Sequence, residues 1–435
     1  MMFLLAMLLR SRLSHRLNQS RSFVDAKVKW VRDPYLDHAV EREKDLKQIL
    51  SLKNQIVSSP SKSLPVASIS PLKAHLNLPT TASKLFQKFP SFFSQFQPSP
   101  SLPLHVKLTP QAMTLHKEEL AIHSSASHRT DAVKRLAKFL MLTRATRLPL
   151  HIIDRFKFDL GLPHNYVAFL LSDYPDYFQI CESEDLFGEK GSLVLELVSW
   201  RNEFAVSEME WRNGGGVTAP HLGPALTGGL GMEKGMPIRF SMQLPRGFDL
   251  EKKVQNWVQE WQNLPYISPY ENAFHLGPSS DQAEKWTVAV LHELMWLLVS
   301  KKTERENLFC LGEYLGFGDR FKKALRHHPG IFYISNKIRT QTVVLREAYR
   351  KDFLVEKHPL MGMRYRYIHL INKSEKWRNH GSALASRSKR QTMPSAGKRK
   401  AKKGSDKSME ERESSGSLNL EVENDAADKA IEMEI

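Results

Sequence analysis

A few short motifs in the chain have residue types that could bind phosphate or metal, and each lacks a partner that the chemistry requires. The glycine runs 214–216 and 228–231 are not followed by the Lys-Ser/Thr pair with which a phosphate-binding loop continues. His292-Glu293 has no second histidine four residues after the first, so the helical zinc pair of a metalloprotease is missing. We therefore predict no catalytic residues, no metal, no cofactor and no enzymatic activity.

The composition indicates a protein that binds a polyanion. Lys and Arg number 63 against 47 Asp and Glu among 435 residues, which gives a formal charge of +16. Such an excess of positive charge indicates nucleic acid as the first candidate for the binding partner and anionic lipid as the second. With only two cysteines, Cys181 and Cys310, the chain cannot be a disulfide scaffold, a zinc ribbon or an iron–sulfur protein. No apolar run approaches the roughly 18 residues that a membrane span requires.

Clusters of basic residues carry the stronger signal for function. Lysine and arginine side chains neutralise phosphates, which supplies affinity for nucleic acid but little sequence information. Any single one could equally lie on an ordinary solvated helix face, so only the collective excess is informative. Aromatic residues near these clusters, Trp30, Tyr166, Tyr333 and Tyr349, could stack on unpaired bases. The candidate RNA-binding residues are Lys27, Lys29, Arg32, Lys134, Arg135, Lys138, Arg144, Arg147, Arg155, Lys157, Lys322, Lys323 and Arg326.

The elements that must position these residues recur three times along the chain. In each copy a turn-forming stretch (76–79, 160–163 and 315–318) precedes helix-compatible residues, and a proline then ends that helix. A phenylalanine follows three residues after each proline, and a strand-like run comes later. Each copy therefore predicts a helix-turn-helix followed by a β-hairpin, which is similar to a winged helix. The phenylalanines are Phe93, Phe178 and Phe332, and the strands are predicted at 104–108, 193–197 and 342–345.

The two ends of the chain differ in composition from the middle. Residues 1–24 are rich in Arg and Ser and contain no acid, which is typical of an organelle transit peptide. Because Arg21-Ser22-Phe23 resembles a mitochondrial processing site, we expect mitochondria, with the chloroplast as the alternative. Residues 373–435 are basic and then acidic and hold few apolar side chains, so we predict a disordered tail.

The predicted RNA-binding region occupies residues 25–372, with units at about 33–115, 130–200 and 285–350. An insertion at 205–280 separates the second and third units. Within the insertion, alternation predicts a strand at 238–244, and the residue types predict a helix at 250–264 carrying Trp257 and Trp261. The predicted fold class is α+β and mainly helical, with tandem winged-helix-like units and a disordered C-terminal tail.

Several ordered stretches are similar to those of one known family, the plant organelle RNA recognition (PORR) proteins, over residues 26–370. The resemblance implies import into an organelle of plants, binding to organellar intron RNA and promotion of group II intron splicing, without catalytic residues. It identifies the chain as a mitochondrial-type member. The matching stretches are Lys29-Trp30-Val31-Arg32-Asp33 with 36–42, Gly161-Leu162-Pro163 with Tyr174-Pro175-Asp176-Tyr177-Phe178, and 264–270, 289–294, 328–335 and 345–349.

Two other functions remain open from the sequence. One is an organellar DNA-binding or transcription-termination factor of the mTERF type, although the predicted hairpins argue against its all-helical repeats. The other is a scaffold protein associated with the organellar ribosome. The expected partners are single-stranded or structured intron RNA and other splicing factors, with no small-molecule substrate and no membrane span. Binding through phosphate contacts would weaken steeply with salt, whereas an apolar protein interface would not.

Overall fold

The structure is a computed structural model that describes residues 31–73, 80–183, 191–214, 235–244 and 250–373. The chain divides into two compact regions, Met1–Asn372 and Lys373–Ile435, and the described residues belong to the first apart from Lys373. The predicted transit peptide at 1–24, nearly all of the predicted tail and the turn at 76–79 lie outside the described residues. No helix of the described ranges is both long and apolar enough to cross a membrane.

Helices dominate this region, and short antiparallel strands alternate with them. The helices are α1 (Pro34–Glu41), α2 (Leu46–Ser58), α3 (Val66–Ile69), α4 (Ala82–Lys88), α5 (Pro110–Ser124), α6 (Ala126–Met141), α7 (Leu150–Phe156), α8 (Tyr166–Phe169), α9 (Glu208–Asn213), α10 (Lys252–Gln262), α11 (Asp281–Leu297), α12 (Arg305–Tyr314), α13 (Asp319–His327) and α14 (359–373). The strands are β1 (Ser63–Pro65), β2 (Phe93–Phe96), β3 (His105–Leu108), β4 (Arg147–Pro149), β5 (Phe178–Ser183), β6 (Ser192–Leu197), β7 (Lys302–Glu304), β8 (Phe332–Ser335), β9 (Thr342–Leu345), β10 (Tyr349–Arg350) and β11 (Phe353–Leu354).

Three units of the same topology follow one another, which confirms the predicted fold class. Their sheets have the strand orders β1-β3-β2, β4-β6-β5 and β7-β9-β8, all antiparallel. We call them unit 1 (46–108), unit 2 (126–197) and unit 3 (281–345). In each, a long helix is followed by a short strand, two shorter helices and a hairpin, the order of elements of a winged helix. The exact domain boundaries stay a prediction.

The repeated phenylalanine fixes where each hairpin begins. Phe93, Phe178 and Phe332 are buried and stand at the first position of β2, β5 and β8. Each pairs with a leucine at the end of the other hairpin strand, Leu108, Leu197 or Leu345. In each case the phenylalanine N–H donates to the carbonyl four residues earlier, so the turn after the helix leads directly into the strand. The hairpin strands thus lie close to where the sequence predicts them.

The first strand of each unit was not predicted. β1, β4 and β7 are three residues long and pair with the second hairpin strand, so each sheet has three strands. A residue in the left-handed region precedes each of them, namely Lys62, Thr146 and Lys301 with φ of 52°, 50° and 52°. A repeated Leu-Pro at positions 64–65 and 148–149 is the available sequence signal, and it is too short to predict a strand on periodicity alone.

The N-terminal helix of the described chain packs on unit 3, and the C-terminal helix packs on unit 1. Helix α1 packs against β8 of unit 3, where the Asp37 carboxylate accepts hydrogen bonds from the Tyr333 hydroxyl (2.8 Å) and the Ser335 hydroxyl (2.6 Å). Helix α14 instead contributes Tyr367 and Ile371 to the hydrophobic core of unit 1. Helix α1 is joined to unit 3 by buried hydrogen bonds, and helix α14 is joined to unit 1 by apolar contacts. These contacts of the two end helices hold the three units together as one body.

The insertion differs from the prediction in one respect. Residues 238–244 form no strand, so that prediction was wrong. The Gln262 side chain takes the place of a partner strand, because its amide accepts from the Phe240 N–H (2.9 Å) and donates to the Phe240 carbonyl (3.0 Å). The predicted helix with Trp257 and Trp261 is confirmed as α10, and both indoles are buried.

Candidate nucleic-acid interface

A basic cleft of about 840 Å³ opens between unit 3 and the corner that joins α1 to α2. One wall is residues 43–48, and the opposite wall is the loop between β8 and β9, residues 336–341, which we call the wing of unit 3. The wing is the loop of the hairpin that follows the helices of unit 3. Its charged lining side chains are Glu43, Lys44, Asp45, Lys47, Lys73, Asp159, Lys302, Glu304, Lys337 and Arg339.

Two of the acids in the cleft are neutralised by lysines of the same cleft. The Lys302 ammonium lies 2.9 Å from the Glu43 carboxylate and also donates to a backbone carbonyl of α1. The pKa of Lys302 is lowered by burial, against the attraction of Glu43. At the other side, Lys47 lies 3.3 Å from Glu304. These four side chains therefore leave no net charge in the cleft.

The other two acids are also engaged. Asp45 forms an ion pair with Lys88 of α4, 2.6 Å away. Asp159 is buried and accepts a hydrogen bond from the Thr303 hydroxyl at 2.6 Å. Burial raises the pKa of the Asp159 carboxyl, which favours its neutral form. None of the four acids is therefore left to repel an anion.

Four exposed cations of the cleft form no ion pair with any residue that the structure describes. Lys44 and Lys73 lie on the unit 1 side, and Lys337 and Arg339 lie on the wing. Because the acids are engaged elsewhere, these four charges face the cleft without compensation. A phosphate backbone is the ligand that such an arrangement attracts most strongly.

A second cleft of about 360 Å³ adjoins the first, since Lys47 and Phe158 line both. It runs along α2 toward the Pro163 turn of unit 2, and its acids are likewise occupied. Glu119 pairs with the buried Lys53, and Asp154 pairs with Lys157 just after the end of its helix. The two clefts together touch all three units, so one extended ligand could contact all of them.

Helix α13 provides a second basic surface on unit 3. It stands in the place of the recognition helix of a winged helix, and its buried face packs on α11 and α12. The three candidate residues Lys322, Lys323 and Arg326 are all exposed on it. Lys322 lies 2.9 Å from Asp319, whereas Lys323 and Arg326 form no ion pair with described residues.

Two candidate residues on α6 of unit 2 have structural contacts. Arg135 is buried, and its guanidinium lies 2.9 Å from Asp131 one turn earlier. Lys138 lies 2.7 Å from Glu293, whose carboxylate is almost fully buried, and it also donates to the Val206 carbonyl at 3.0 Å. Both side chains thus serve contacts within the protein.

Further candidates also contact the protein itself. Three of them have exposed or half-exposed side chains with one partner each: Arg32 lies 2.9 Å from Asp37, Lys157 lies 3.3 Å from Asp154, and the Arg144 guanidinium lies 4.9 Å from the Phe274 ring centre. Lys134 is exposed beside the Phe204 ring, and Arg147 and Arg155 are exposed on unit 2. Lys27 and Lys29 lie outside the described residues. These contacts leave RNA binding by the candidates untested.

The aromatic side chains proposed to stack on bases are buried. Tyr166, Tyr333 and Tyr349 are each less than 5% exposed, so the stacking prediction for these three was wrong. The Tyr333 hydroxyl donates to Asp37 and the Tyr349 hydroxyl donates to the Ser300 carbonyl, so both rings are core residues with a satisfied polar end. Trp30 lies outside the described residues.

One side-chain cluster has metal-ligand types. His128, Asp131 and His358 place their ligand atoms within 4.8 Å of one another. The Leu360 N–H donates to His358 Nδ1 (3.2 Å), which assigns the proton to Nε2, the nitrogen 3.5 Å from Asp131. Arg135 also holds Asp131. A cation would have to displace both contacts, so the cluster serves to fasten α14 to α6.

Sequence reasoning missed Lys44, Lys73, Lys337 and Arg339. The candidate residues come from stretches where several basic residues cluster in the sequence, whereas Lys337 and Arg339 lie in a hairpin loop. The alternation of Lys337 and Arg339 between two predicted strands was the available signal. Lys44 and Lys73 could not be singled out, because only the fold shows which neighbouring acids are paired.

A protein-family model described as plant organelle RNA recognition domain matches residues 31–376. The chain belongs to the PORR family. The PORR match covers the three units, the insertion and both crossing helices, so the clefts lie wholly inside it. No solved structure matches this PORR chain.

Curated PORR relatives come from different organelles. The chain is 36% identical to Protein WHAT'S THIS FACTOR 9, mitochondrial, of Arabidopsis thaliana, over 82% of this chain and 88% of the relative. It is 29% identical to Protein WHAT'S THIS FACTOR 1, chloroplastic, of Zea mays, over 80% of this chain and 67% of the relative. Protein ROOT PRIMORDIUM DEFECTIVE 1 of Arabidopsis thaliana is 28% identical over 78% of this chain and 82% of the relative.

Proposed function

We propose that this PORR protein binds intron RNA in mitochondria and promotes the splicing of group II introns without catalysing the reaction. The observation that carries the proposal is the cleft with four exposed cations whose neighbouring acids are all engaged. The family supports RNA as the polyanion, and the mitochondrial relative that is 36% identical supports the organelle. Chloroplasts remain the alternative location, because other relatives are named chloroplastic.

The proposed role is to hold the RNA in a conformation that can splice. Lys44 and Lys73 would bind phosphates on one side of the strand, and Lys337 and Arg339 would bind phosphates on the other. The crossing helices α1 and α14 keep these walls at a fixed separation, so bound RNA would lose conformational freedom. The chemistry would belong to the intron and its metal ions, with other splicing factors as partners.

A salt titration in vitro tests the phosphate contacts. Binding of an intron RNA fragment is measured by fluorescence anisotropy for the wild type and for Lys44→Ala/Lys73→Ala/Lys337→Ala/Arg339→Ala. With four phosphates no longer neutralised, the slope of log affinity against log salt should fall by about 2.8, at about 0.7 per phosphate for single strands. The matched control removes four exposed charges outside the cleft that are not candidate RNA-binding residues, in Lys107→Ala/Lys117→Ala/Lys252→Ala/Lys253→Ala, and should keep most of the slope. Equal salt slopes in both variants would refute the proposal that RNA binds in the cleft.

Immunoprecipitation tests the cellular role. The tagged protein is recovered from isolated mitochondria and plastids, and the associated RNA and DNA are sequenced. Enrichment of a few group II intron segments from mitochondria, with unspliced precursors accumulating in plants that lack the protein, is the expected result. Enrichment of DNA would favour the transcription-termination alternative, and recovery of whole ribosomes would favour the scaffold.

A further inference from the structure

A short hairpin beside α1 presents an aromatic ring to solvent. In the β10–β11 hairpin, Tyr349 pairs with Leu354 and Arg350 pairs with Phe353. The Phe353 side chain is 62% exposed, and Tyr35 on α1 is 54% exposed. A single exposed ring needs no explanation, but these two rings flank the same face of one helix.

The hairpin is held rigidly against α1. The Asp352 carboxylate lies 3.0 Å from His38 Nδ1, and the Arg42 guanidinium donates to the Asp352 carbonyl at 2.8 Å. At the turn, Lys351 has a φ of 59°, a conformation that non-glycine residues adopt at a cost. The hairpin therefore keeps its shape through contacts that do not involve the exposed ring.

Each of the two exposed rings lies beside a cation, at separate positions along α1. Lys351 lies 5.8 Å from the Tyr35 ring centre, and the Arg42 guanidinium lies 5.6 Å from the Phe353 ring centre. Tyr35 and Arg42 are seven residues apart, which is about 10 Å along a helix. One or two nucleotides of an extended strand span such a distance.

Uncompensated positive charge surrounds the rings. Arg350, Lys351 and Lys357 are exposed and form no ion pair within the described ranges. The two acids of the same segment, Asp352 and Glu356, are both paired, Glu356 with a buried lysine 2.7 Å away. As in the basic cleft, the acids are engaged and the cations are not.

We propose that Phe353 and Tyr35 form a stacking platform for unpaired RNA bases, with Arg350 and Lys351 neutralising the adjacent phosphates. The inference rests on the proposed function, since it names how the bound RNA is held beyond the cleft. Base stacking on an aromatic ring needs one free ring face and tolerates any sequence. A protein-binding surface would instead be depleted of charge at its centre.

The test measures stacking separately from charge. A short unstructured RNA carrying 2-aminopurine is titrated with full-length wild type, Phe353→Ala, Tyr35→Ala and Phe353→Trp. Stacking should quench the 2-aminopurine fluorescence in the wild type and in Phe353→Trp. Phe353→Ala and Tyr35→Ala should each reduce the quenching and weaken binding about tenfold with an unchanged salt slope, as expected when one base stack is removed.

Val355→Ala is the matched control, because Val355 is also 62% exposed and adjoins the hairpin but has no ring. It should bind and quench as the wild type does. The stacking platform is refuted if Phe353→Ala and Tyr35→Ala bind RNA and quench fluorescence as the wild type does. The proposed function still stands in that case if the variant that replaces all four exposed cations of the cleft by alanine binds RNA poorly. If the wild type shows no salt-dependent RNA binding at all, the proposed function itself fails.

Discussion

Two basic side chains of α6 in unit 2, Arg135 and Lys138, are paired with acids of the protein, whereas those in the wing of unit 3 form no ion pair with described residues. Arg135 contacts Asp131, and Lys138 contacts the buried Glu293. In the wing, Lys337 and Arg339 line an open cleft. The two units share one topology, so the fold alone does not make a basic residue available to a ligand.

Histidines differ between the same two units. His123 Nδ1, at the end of α5, and His128 Nε2, on α6 of unit 2, are buried without a hydrogen-bond partner among the described residues. In unit 3, His327 and His328 lie 3.3 Å and 2.8 Å from Glu284, although the other ring nitrogen of His328 is also buried without a partner among the described residues. The pairing of each charge, and not its position in the repeat, therefore separates structural residues from candidate ligand-binding ones.

Removal of the Lys138 side chain should have the largest effect on stability. Lys138→Ala leaves the Glu293 carboxylate buried with only the Tyr270 hydroxyl and the Glu208 N–H as donors. Loss of one partner of a buried pair costs about 3 kcal/mol in the free energy of unfolding, which chemical denaturation measures. Lys134→Ala, one turn earlier and exposed, should cost less than about 0.5 kcal/mol.

Lys138→Ala could instead keep full stability and bind RNA as weakly as a variant of the wing. That result would contradict the distinction between structural cations on α6 and available cations in the wing. Lys138 would then be a ligand-binding residue in spite of its contact with Glu293. RNA affinity is therefore measured on the folded fraction of each variant, so that reduced stability is not mistaken for reduced binding.

Acid should destabilise the protein through His123 on α5 and His128 on α6. Burial lowers the pKa of His123 and of His128 to about 4, below the ordinary value near 6.5. The unfolded chain therefore binds more protons below pH 6.5, and stability falls as the pH drops from 6.5 to 4. The slope is up to about 1.4 kcal/mol per pH unit for each histidine.

His128→Gln removes one of these titrating groups and tests the origin of the slope. Between pH 6.5 and pH 5, the free energy of unfolding of this variant should fall less than that of the wild type. The difference between the two falls should be up to about 2 kcal/mol. His275→Gln, which removes an exposed imidazole, is the matched control. An unchanged slope in His128→Gln would mean that other groups dominate the acid response.

The wing variant tests the unit 3 side of the contrast. Lys337→Ala/Arg339→Ala should weaken RNA binding about tenfold near physiological salt and reduce the salt slope by about 1.4, at about 0.7 for each phosphate that is no longer neutralised. Arg147→Ala/Arg155→Ala removes two exposed charges from unit 2 and should change both quantities less. A larger effect from the unit 2 pair would move the interface to unit 2.

The sequence predicts the hairpins well because one local signal determines each of them. Phe93, Phe178 and Phe332 follow a helix-ending proline at a fixed distance, and each begins a strand. The same approach could not separate Lys138 from Lys337, because the partner Glu293 lies far away in the sequence. Composition shows that positive charge is in excess, but only the fold shows which cations remain unpaired.

The smallest predicted effect compares two neighbours on α13. Lys322 is paired with Asp319 on a fully exposed surface, whereas its neighbour Lys323 has no ion-pair partner among the described residues. If α13 touches RNA, Lys323→Ala should lower affinity about threefold and the salt slope by about 0.7, the value for one neutralised phosphate. Lys322→Ala should change both less, because RNA must compete with Asp319 for that ammonium. Exposed ion pairs are weak, so the difference in RNA affinity between the two lysine variants should be small. Asp319→Ala should raise the contribution of Lys322 to RNA affinity to that of Lys323. Equal reductions in Lys322→Ala and Lys323→Ala, with no gain in Asp319→Ala, would mean that pairing with an exposed acid does not reduce the availability of a lysine, and that only buried partners such as Glu293 do.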